Sequence, residues 1–300
     1  MGQFVERALP SLVPRQLKLP TDSGKVVSLI GARRTGKTFM LFQTIDALLR
    51  AGVERERILH INFEDDRLYP IETDQLDLIL RAHRELFPDA ARQTRYVFFD
   101  ELQNVPDWER YVRRIYDTED VAIFLTGSSS SLLQSDMSTA MRGRSVTYEV
   151  FPLSFSEFLT FRDIAYVPYS PDSEARVVHA FREYLEWGGF PEVVLAEEPL
   201  KMLILQEYAS LMLHRDLIER YRVRNERLMH LLLKFCAEHT GSLVSINKLF
   251  NDFRSQGARF GKGSLYDYMT MLEDALSSQE IEIIDRDIAE LVAQSMGLEG

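Results

Sequence analysis

The sequence predicts an α/β protein with a parallel sheet, followed by a helical region. Five short apolar runs rich in β-branched and aromatic residues lie between residues 21 and 150, and segments with helical periodicity separate them. Strands that are apolar throughout are typical of a parallel sheet with helices on both faces, because neither face of such a sheet is exposed to water.

The predicted strands, in chain order, are "KVVSLI", "ILHINF", "RYVFFD", "VAIFLT" and "SVTYEV". After the first strand, Leu41, Ile45, Leu48 and Leu49 form one apolar face of a predicted helix. After the third, apolar residues recur at i, i+3, i+4 and i+7, and Pro106 is expected to start that helix because proline suits a first turn. The residues of this second apolar face are Trp108, Tyr111, Val112 and Ile115.

The second half of the chain is expected to be helical. Three short amphipathic segments follow residue 226, and Ser245 and Ser264 are predicted to start the second and third of them. Three helices at this spacing indicate a helix-turn-helix of the winged type. The predicted domains are an N-terminal segment over 1–20, an α/β domain over 21–153, a helical region over 154–225 and a winged-helix-like domain over 226–300.

Composition excludes several classes of protein. The chain of 300 residues is 45% hydrophobic and carries a net charge of −11, which is typical of a globular protein with a sizeable core. No apolar run is long enough to span a bilayer, and no signal sequence or lipid anchor is recognisable, so a cytoplasmic location is expected. The single cysteine, Cys236, excludes an intrachain disulfide and lies at helical spacing among leucines, as a core residue would.

The first strand is followed by "GARRTGKT", which matches the pattern G-x-x-x-x-G-K-[ST]. Successive backbone N–H groups of such a loop surround a phosphate, and the helix that follows adds a favourable dipole. Lys37 is expected to reach the β and γ phosphates, and the hydroxyl of Thr38 to bind Mg²⁺. The sequence therefore predicts an ATP site lined by Gly31, Ala32, Arg33, Arg34, Thr35, Gly36, Lys37, Thr38 and Phe39.

The third strand ends in "DE", where a metal-binding carboxylate is expected. Asp100 is predicted to hold the magnesium ion, and the adjacent Glu101 to polarise the attacking water. The second strand ends in "FEDD", and two interpretations stay open there. Glu64 either lies near the nucleotide or belongs to a solvated acidic turn.

The run "LTGSSSSLL" follows the fourth strand and is expected at the same edge of the sheet. A polar side chain there can detect the γ-phosphate, and we assign this sensor role first to Ser128 and second to Thr126. The later serines, Ser129 to Ser131, are expected to start a helix. Further on, Arg142 and Arg144 flank Gly143. Arg144 is predicted either to act as an arginine finger on a neighbouring subunit or to form a structural ion pair.

These motifs together resemble a known group. The AAA-superfamily P-loop ATPases of bacteria and archaea that carry a C-terminal region of unknown function are similar, in this order, to "GARRTGKT", "INFEDDRL", "FFDELQNVPDWERYVRRIYD", "LTGSSSSLL", "MRGRSVTYEVFPLSFSEFL", "GGFPEVV" and "RDLIERYRVRN". The resemblance implies Walker A and Walker B roles for the loop and the "DE" pair, and catalytic roles for Lys37, Glu101 and Ser128. It also identifies Arg144 with a recurring arginine of the family without settling its role, and we count Arg144 among the candidate catalytic residues. Such proteins usually continue into a further α/β domain, so the C-terminal part of this chain is expected to be shortened.

The expected function is magnesium-dependent ATP hydrolysis that drives a conformational switch in the helical half. The alternative is a nucleotide-gated module that binds protein or DNA with little turnover. A GTPase is less favoured because the chain has no N/T-K-x-D sequence. A homo-oligomer and an unknown protein partner are compatible with these interpretations, and a membrane partner is not expected. Nucleic acid is disfavoured because the predicted recognition helix has acidic residues and no Arg or Lys after Lys262.

Overall fold

The computed structural model describes residues 8–127, 141, 143–239, 245–255 and 260–276. The chain divides into two compact units, one formed in this part of the chain by the residues up to Leu195 and the other beginning at Ala196. The sequence-based boundaries at residues 153 and 225 differ from this division and remain a prediction.

A parallel sheet forms the centre of the first unit. Its strands are β1 (Val26–Ile30), β2 (Ile58–Asn62), β3 (Arg95–Asp100), β4 (Val121–Thr126) and β5 (Ser145–Glu149). They pair in parallel in the order β2-β3-β4-β1-β5. All five predicted strands are confirmed. Because every pair is parallel, the strands end at one common edge, which we call the carboxyl edge.

The described part of the first unit also contains helices. They are α1 (Lys37–Arg50), α2 (Leu76–Leu86), α3 (Trp108–Thr118), α4 (Phe155–Phe161), α5 (Pro171–Trp187) and α6 (Pro191–Leu195). One buried cluster joins α2 and α3 to one sheet face, and another joins α1 to the opposite face. Successive strand residues such as Phe98 and Phe99 therefore belong to different cores, which is why both had to be apolar.

The predicted start of α3 was wrong by two residues. The helix begins at Trp108, after Asp107 adopts a left-handed φ of 50°, and Pro106 lies in the preceding turn. Its apolar face is confirmed, because Trp108, Tyr111, Val112 and Ile115 are all buried.

The second unit is helical in the part that is described. It contains α7 (Glu198–Leu211), which continues into a π-helical segment over Met212–Glu219, then α8 (Glu226–Glu238), α9 (Ile246–Ser255) and α10 (Lys262–Leu276). One buried cluster connects the π segment, α8, α9 and α10, and Cys236 packs against it as predicted.

The ends of these helices test two predictions. Ser245 precedes α9 and its Oγ accepts a hydrogen bond from the N–H of Lys248 at 3.5 Å, as expected of a cap. The predicted start of α10 at Ser264 was wrong, because the helix already begins at Lys262 and Ser264 lies within its first turn. The three predicted helices are present, but the winged-helix assignment is not confirmed.

Candidate nucleotide site

The loop Gly31–Thr38 joins the end of β1 to the start of α1, and its two glycines are required by geometry. A Cβ on Gly31 would lie 2.3 Å from the carbonyl oxygen of Val150, so only glycine allows β1 to end this close to the residue after β5. Gly36 has a φ of 96° directly before α1, a conformation that L side chains rarely adopt. The loop therefore presents backbone at the start of a helix, where N–H groups are available to an anion.

Lys37 lies against this loop with its side chain only 4% exposed. Its Nζ donates hydrogen bonds to the carbonyl oxygens of Gly31, at 3.1 Å, and Ala32, at 2.9 Å. The same Nζ is 4.0 Å from Oε1 of Glu101. The buried ammonium group is thus placed between the loop and the carboxylate that follows β3.

Asp100, Thr38 and Thr126 form a hydrogen-bonded group at the carboxyl edge. Thr38 Oγ1 donates to Asp100 Oδ2 at 2.8 Å, and Thr126 Oγ1 donates to Asp100 Oδ1. Thr126 reaches Asp100 because β4 lies between β3 and β1 in the sheet. Both carboxylate oxygens of Asp100 therefore have hydroxyl partners, although the side chain is fully buried.

Glu101 is held in an unusual backbone conformation, with a φ of 54°. Its N–H donates to Thr126 Oγ1 at 2.9 Å, and its Oε2 accepts from Gln103 Nε2. Left-handed conformations of non-glycine residues are uncommon and cluster at functional sites. Thr126 therefore bonds both acidic residues, because its hydroxyl donates to the carboxylate of Asp100 and accepts from the N–H of Glu101.

Burial raises the pKa of Asp100 and also that of Glu101. For Glu101 the positive charge of Lys37 opposes this effect, and for Asp100 the bonds from Thr126 and Thr38 oppose it. A buried carboxylate with a raised pKa is a better proton acceptor than an exposed one. The arrangement can therefore provide both a cation ligand and a base.

Arg33, Arg34 and the adjacent Phe39 lie at the rim of the loop, whereas Thr35 is buried within it. Arg33 Nη1 contacts Glu64 Oε1 at 3.2 Å, Arg34 lies 3.9 Å from Glu192 in α6, and the ring of Phe39 is 51% exposed. The contact with Arg33 places Glu64 beside the phosphate loop, with its side chain 44% exposed. Both of its interpretations stay open, since the residue is at once near the loop and in contact with solvent.

The structure does not bring Arg144 to this site. Arg144 precedes β5, and Val26 at the start of β1 pairs with Ser145, so Arg144 lies at the opposite edge of the sheet, which we call the amino edge. There it forms an ion pair with Asp117, and its guanidinium carbon lies 5.8 Å from the ring centroid of Tyr116. Arg142, Ser128 and the serines Ser129 to Ser131 lie outside the described residues.

Two residues that contribute to the site, Thr126 and Arg15, differed in how clearly the sequence indicated them. The sequence placed Thr126 at this edge as the second candidate for the sensor, and its hydrogen bonds to Asp100 and Glu101 depend on β4 pairing with β3, which the sequence did not show. Arg15 was missed entirely. Its Nη1 donates to the carbonyl oxygen of Thr35 at 3.0 Å, and its guanidinium group pairs with Glu157. One signal was available, since Ser154-x-x-Glu157 is a capping box and the structure confirms it.

The second unit has exposed arginines, among them Arg222, Arg224 and Arg227. The predicted recognition helix α10 presents Tyr266 and Asp267 to solvent. No described residue of α10 after Lys262 supplies a basic group for reading bases. The charge argument against nucleic acid is therefore unchanged by the structure.

Two family models match the chain. Residues 23–159 match a model described as an AAA domain, and residues 178–293 match a domain of unknown function. The first match spans β1 to β5 and contains the phosphate loop, Asp100 and Glu101. In the described residues no helix is long and apolar enough to cross a membrane.

The curated relatives are themselves uncharacterized. A protein of Methanocaldococcus jannaschii is 33% identical over 266 residues, which covers 88% of this chain and 58% of that protein. A protein of Haemophilus influenzae is 33% identical over 256 residues, with coverages of 85% and 61%. The chain thus spans less than two thirds of the length of either relative.

Among solved structures, PCH-2 of C. elegans aligns with a TM-score of 0.40 at 14% identity, over 65% of this chain and 63% of that one. The ORC1 protein of Aeropyrum pernix, solved in complex with DNA, gives 0.36 at 12% identity, over 91% and 87%. These scores are too low to carry a conclusion.

Proposed function

We propose that residues 23–159, which match a model described as an AAA domain, form a P-loop ATPase domain of the AAA superfamily that binds magnesium ATP and hydrolyses it at the carboxyl edge of its sheet. One observation carries the proposal. Thr38, from the phosphate loop, is hydrogen-bonded to Asp100 at the end of β3, and Lys37 lies within 4.0 Å of Glu101. The groups proposed to bind phosphate, to hold the metal ion and to polarise the attacking water therefore lie within contact distance of one another.

The phosphate groups of ATP are bound, in this proposal, by backbone N–H groups of the loop Gly31–Thr38 and by Lys37. The loop ends at the start of α1, where the N–H groups lack helical acceptors and the helix dipole favours negative charge. Lys37 exchanges its bonds to the carbonyl oxygens of Gly31 and Ala32 for phosphate oxygens. Charge-assisted bonds of this kind are stronger than those to neutral carbonyls.

The residues present fit a magnesium ion. Magnesium prefers oxygen ligands, and the hydroxyl of Thr38 and the carboxylate of Asp100 are oxygen donors that already lie 2.8 Å apart. When bound with ATP, the ion would neutralise charge on the phosphates. We assign Thr38 and Asp100 as its protein ligands, and Thr126 as the residue that orients Asp100.

Glu101 is proposed as the base that polarises the attacking water. Its carboxylate is 12% exposed, close to Lys37 and adjacent to the metal-binding Asp100. Its raised pKa makes it a better proton acceptor than an exposed carboxylate. Ser128, which follows β4 by two residues, remains our proposed γ-phosphate sensor.

Arg144 is proposed to act on the nucleotide of a neighbouring subunit. Arg144 lies at the amino edge of the sheet, and the proposed nucleotide site of the same subunit lies at the carboxyl edge, at the other end of the strands. The guanidinium group is 45% exposed and pairs with an aspartate that is 43% exposed, so it could exchange that partner for a phosphate. The match to an AAA domain favours ATP binding and assembly into oligomers. In a homo-oligomer, an adjacent copy of the chain would be the neighbouring subunit.

The helical second unit is proposed to change conformation with the nucleotide state and so transmit it to a partner of unknown identity. The test is the ATPase rate of the purified protein as a function of its concentration, with and without duplex DNA. We expect magnesium-dependent turnover, with a rate per subunit that rises with concentration and does not respond to DNA.

Two other results would change the assignment. Tight binding of magnesium ATP without turnover, under all these conditions, would favour the nucleotide-gated binding module. Stimulation by duplex DNA would restore the nucleic-acid interpretation that the charge pattern disfavours. Absence of any nucleotide binding would overturn the proposed function itself.

A further inference from the structure

The segment before β1 packs along the α/β domain as a strap, which we define as residues 8–20. Leu9, Leu17 and Leu19 contact the apolar cluster between the sheet and α1. The backbone of Arg15 is fixed by Gln43 of α1, whose Oε1 accepts from Arg15 N at 2.7 Å and whose Nε2 donates to Arg15 O at 3.2 Å. The strap thus holds Arg15 at a defined position beside the phosphate loop.

The guanidinium group of Arg15 forms a two-bond ion pair with Glu157 at the start of α4. Nε donates to Oε1 at 2.7 Å and Nη2 to Oε2 at 2.8 Å, with side-chain exposures of 10% and 4%. Burial raises the pKa of Glu157, but the bonds and charge of Arg15 outweigh this, and the net pKa lies below its usual range. A planar guanidinium group in this geometry is held in one orientation.

The remaining donors of Arg15 contact backbone. Nη2 also donates to the carbonyl oxygen of Phe151 at 3.1 Å, and Nη1 donates to that of Thr35 at 3.0 Å. Thr35 is buried within the phosphate loop and directly precedes Gly36. One side chain therefore connects the strap, the start of α4 and the loop.

The contact with Thr35 has a geometric consequence for the next residue. A peptide unit is planar and trans, so its C=O and N–H point in opposite directions. With the Thr35 carbonyl directed at Arg15, the N–H of Gly36 is directed away from it. Gly36 would otherwise tolerate several backbone conformations, because glycine lacks the steric limits of other residues.

We propose that Arg15 is a positioning residue for nucleotide binding, which fixes the Thr35–Gly36 peptide so that the Gly36 N–H is available to a phosphate oxygen. This proposal rests on the proposed function of the loop. Glu157 acts through Arg15, by holding its guanidinium plane. Lysine cannot replace arginine here, because one ammonium group cannot span Glu157, Phe151 and Thr35 in this planar geometry.

The test compares Arg15→Lys with Arg57→Lys as a matched control. Arg57 also donates to a backbone carbonyl, that of Thr94, through Nε at 3.0 Å and Nη2 at 2.8 Å. This contact joins the residue before β2 to the residue before β3 and is therefore at the amino edge, away from the loop. Glu157→Gln is a second, milder variant in case Arg15→Lys fails to fold.

Two measurements separate positioning from general stability. In nucleotide-free protein, hydrogen exchange of the peptide covering residues 31–38 should become about tenfold faster in Arg15→Lys, because one charge-assisted bond is worth roughly that factor. In turnover assays, KM for magnesium ATP should rise by about tenfold while kcat changes by less than about threefold, as expected for lost binding that is common to ground and transition states. Glu157→Gln should give smaller changes in the same direction.

Arg57→Lys should leave both measurements unchanged. Exchange and KM in Arg15→Lys that match those of Arg57→Lys would overturn the positioning role, even if Arg15→Lys lowers the melting temperature. The exchange experiment needs no nucleotide, so it decides the role of Arg15 even if the wild-type protein does not bind ATP. In that case the proposed function fails separately, on the binding measurement alone.

Discussion

The hydroxyl of Thr38 donates a 2.8 Å hydrogen bond to Oδ2 of Asp100, which connects the first turn of α1 to the last residue of β3. The contact crosses β4, which lies between the strands that carry the two motifs. Sixty-two positions separate the two residues in the sequence. The contact brings the phosphate loop and the acidic end of β3 together at the carboxyl edge.

Replacing Lys37 by alanine should weaken binding of magnesium ATP by about 10–100-fold, because it removes the buried cation that we propose bonds phosphate. Calorimetry of ATP binding measures this. Lys25→Ala is the matched control, since Lys25 is exposed directly before β1. Equal affinities in the two variants would contradict the assignment of Lys37.

Glu101→Gln should reduce kcat by about 10²–10⁴-fold and leave ATP affinity nearly unchanged, because the isosteric amide cannot accept the proton of the water. Single-turnover hydrolysis and a binding assay test this together. Glu64→Gln, at the rim, should change kcat by less than about threefold, as expected for an exposed ion pair. A large effect of Glu64→Gln would instead favour its role near the nucleotide or the water.

Thr126→Val should raise the magnesium concentration needed for half-maximal turnover by about 10–100-fold, since it removes a hydroxyl that orients Asp100, our proposed metal ligand. Thr126→Ser keeps the hydroxyl and should restore most of the activity. The measurement is a magnesium titration at saturating ATP. If the valine and serine variants behave alike, the hydroxyl has no part in the site.

Arg144→Ala should lower kcat by roughly 10³-fold if Arg144 supplies charge to a neighbouring site. Asp117→Ala breaks the same ion pair but keeps the arginine, so it should remain active. Mixing inactive Arg144→Ala with inactive Lys37→Ala should restore turnover, because each subunit supplies what the other lacks. Equal rates in Arg144→Ala and Asp117→Ala would identify Arg144 as a structural partner only.

Acid should destabilise the protein through His60. Burial lowers the pKa of this imidazole from 6.5 to about 4, so between these values the unfolded state binds a proton that the folded state does not. The free energy of unfolding therefore falls as the pH drops from 6.5 towards 4. His60→Phe should remove on the order of 1–2 kcal/mol of the difference between pH 7 and pH 5 in urea unfolding. The ring of the phenylalanine variant can retain the contact that His60 makes with Phe42, in which the two ring centroids are 5.0 Å apart. An unchanged difference would contradict this assignment.

The parts of the fold that depend on local chemistry could be predicted from the sequence. The five strands follow from their apolar runs, and the carboxyl edge follows from the parallel pairing. Helix starts were less predictable, because Pro106 and Ser264 looked like good first residues, whereas α3 begins only after the left-handed Asp107 and α10 begins already at Lys262. The hydrogen bond of Thr126 to Asp100 could be foreseen only with the strand order, because it depends on β4 pairing with β3. Arg15 and Glu157 lie 142 positions apart, and their pairing depends on how the strap folds back.

The opposite placement of Arg144 and Lys37 constrains any assembly in which Arg144 acts on a neighbour's nucleotide, as we propose. They lie at the two ends of strands about 16 Å long, for five residues at roughly 3.3 Å each. A neighbour that receives Arg144 at its nucleotide must present its carboxyl edge to the amino edge of the donor, so the contact joins two different surfaces. Such a head-to-tail contact either closes into a ring or continues as an open helical filament. An open filament would leave one unused amino edge at one end and one unused carboxyl edge at the other. Only a closed ring would use every Arg144 and every nucleotide site.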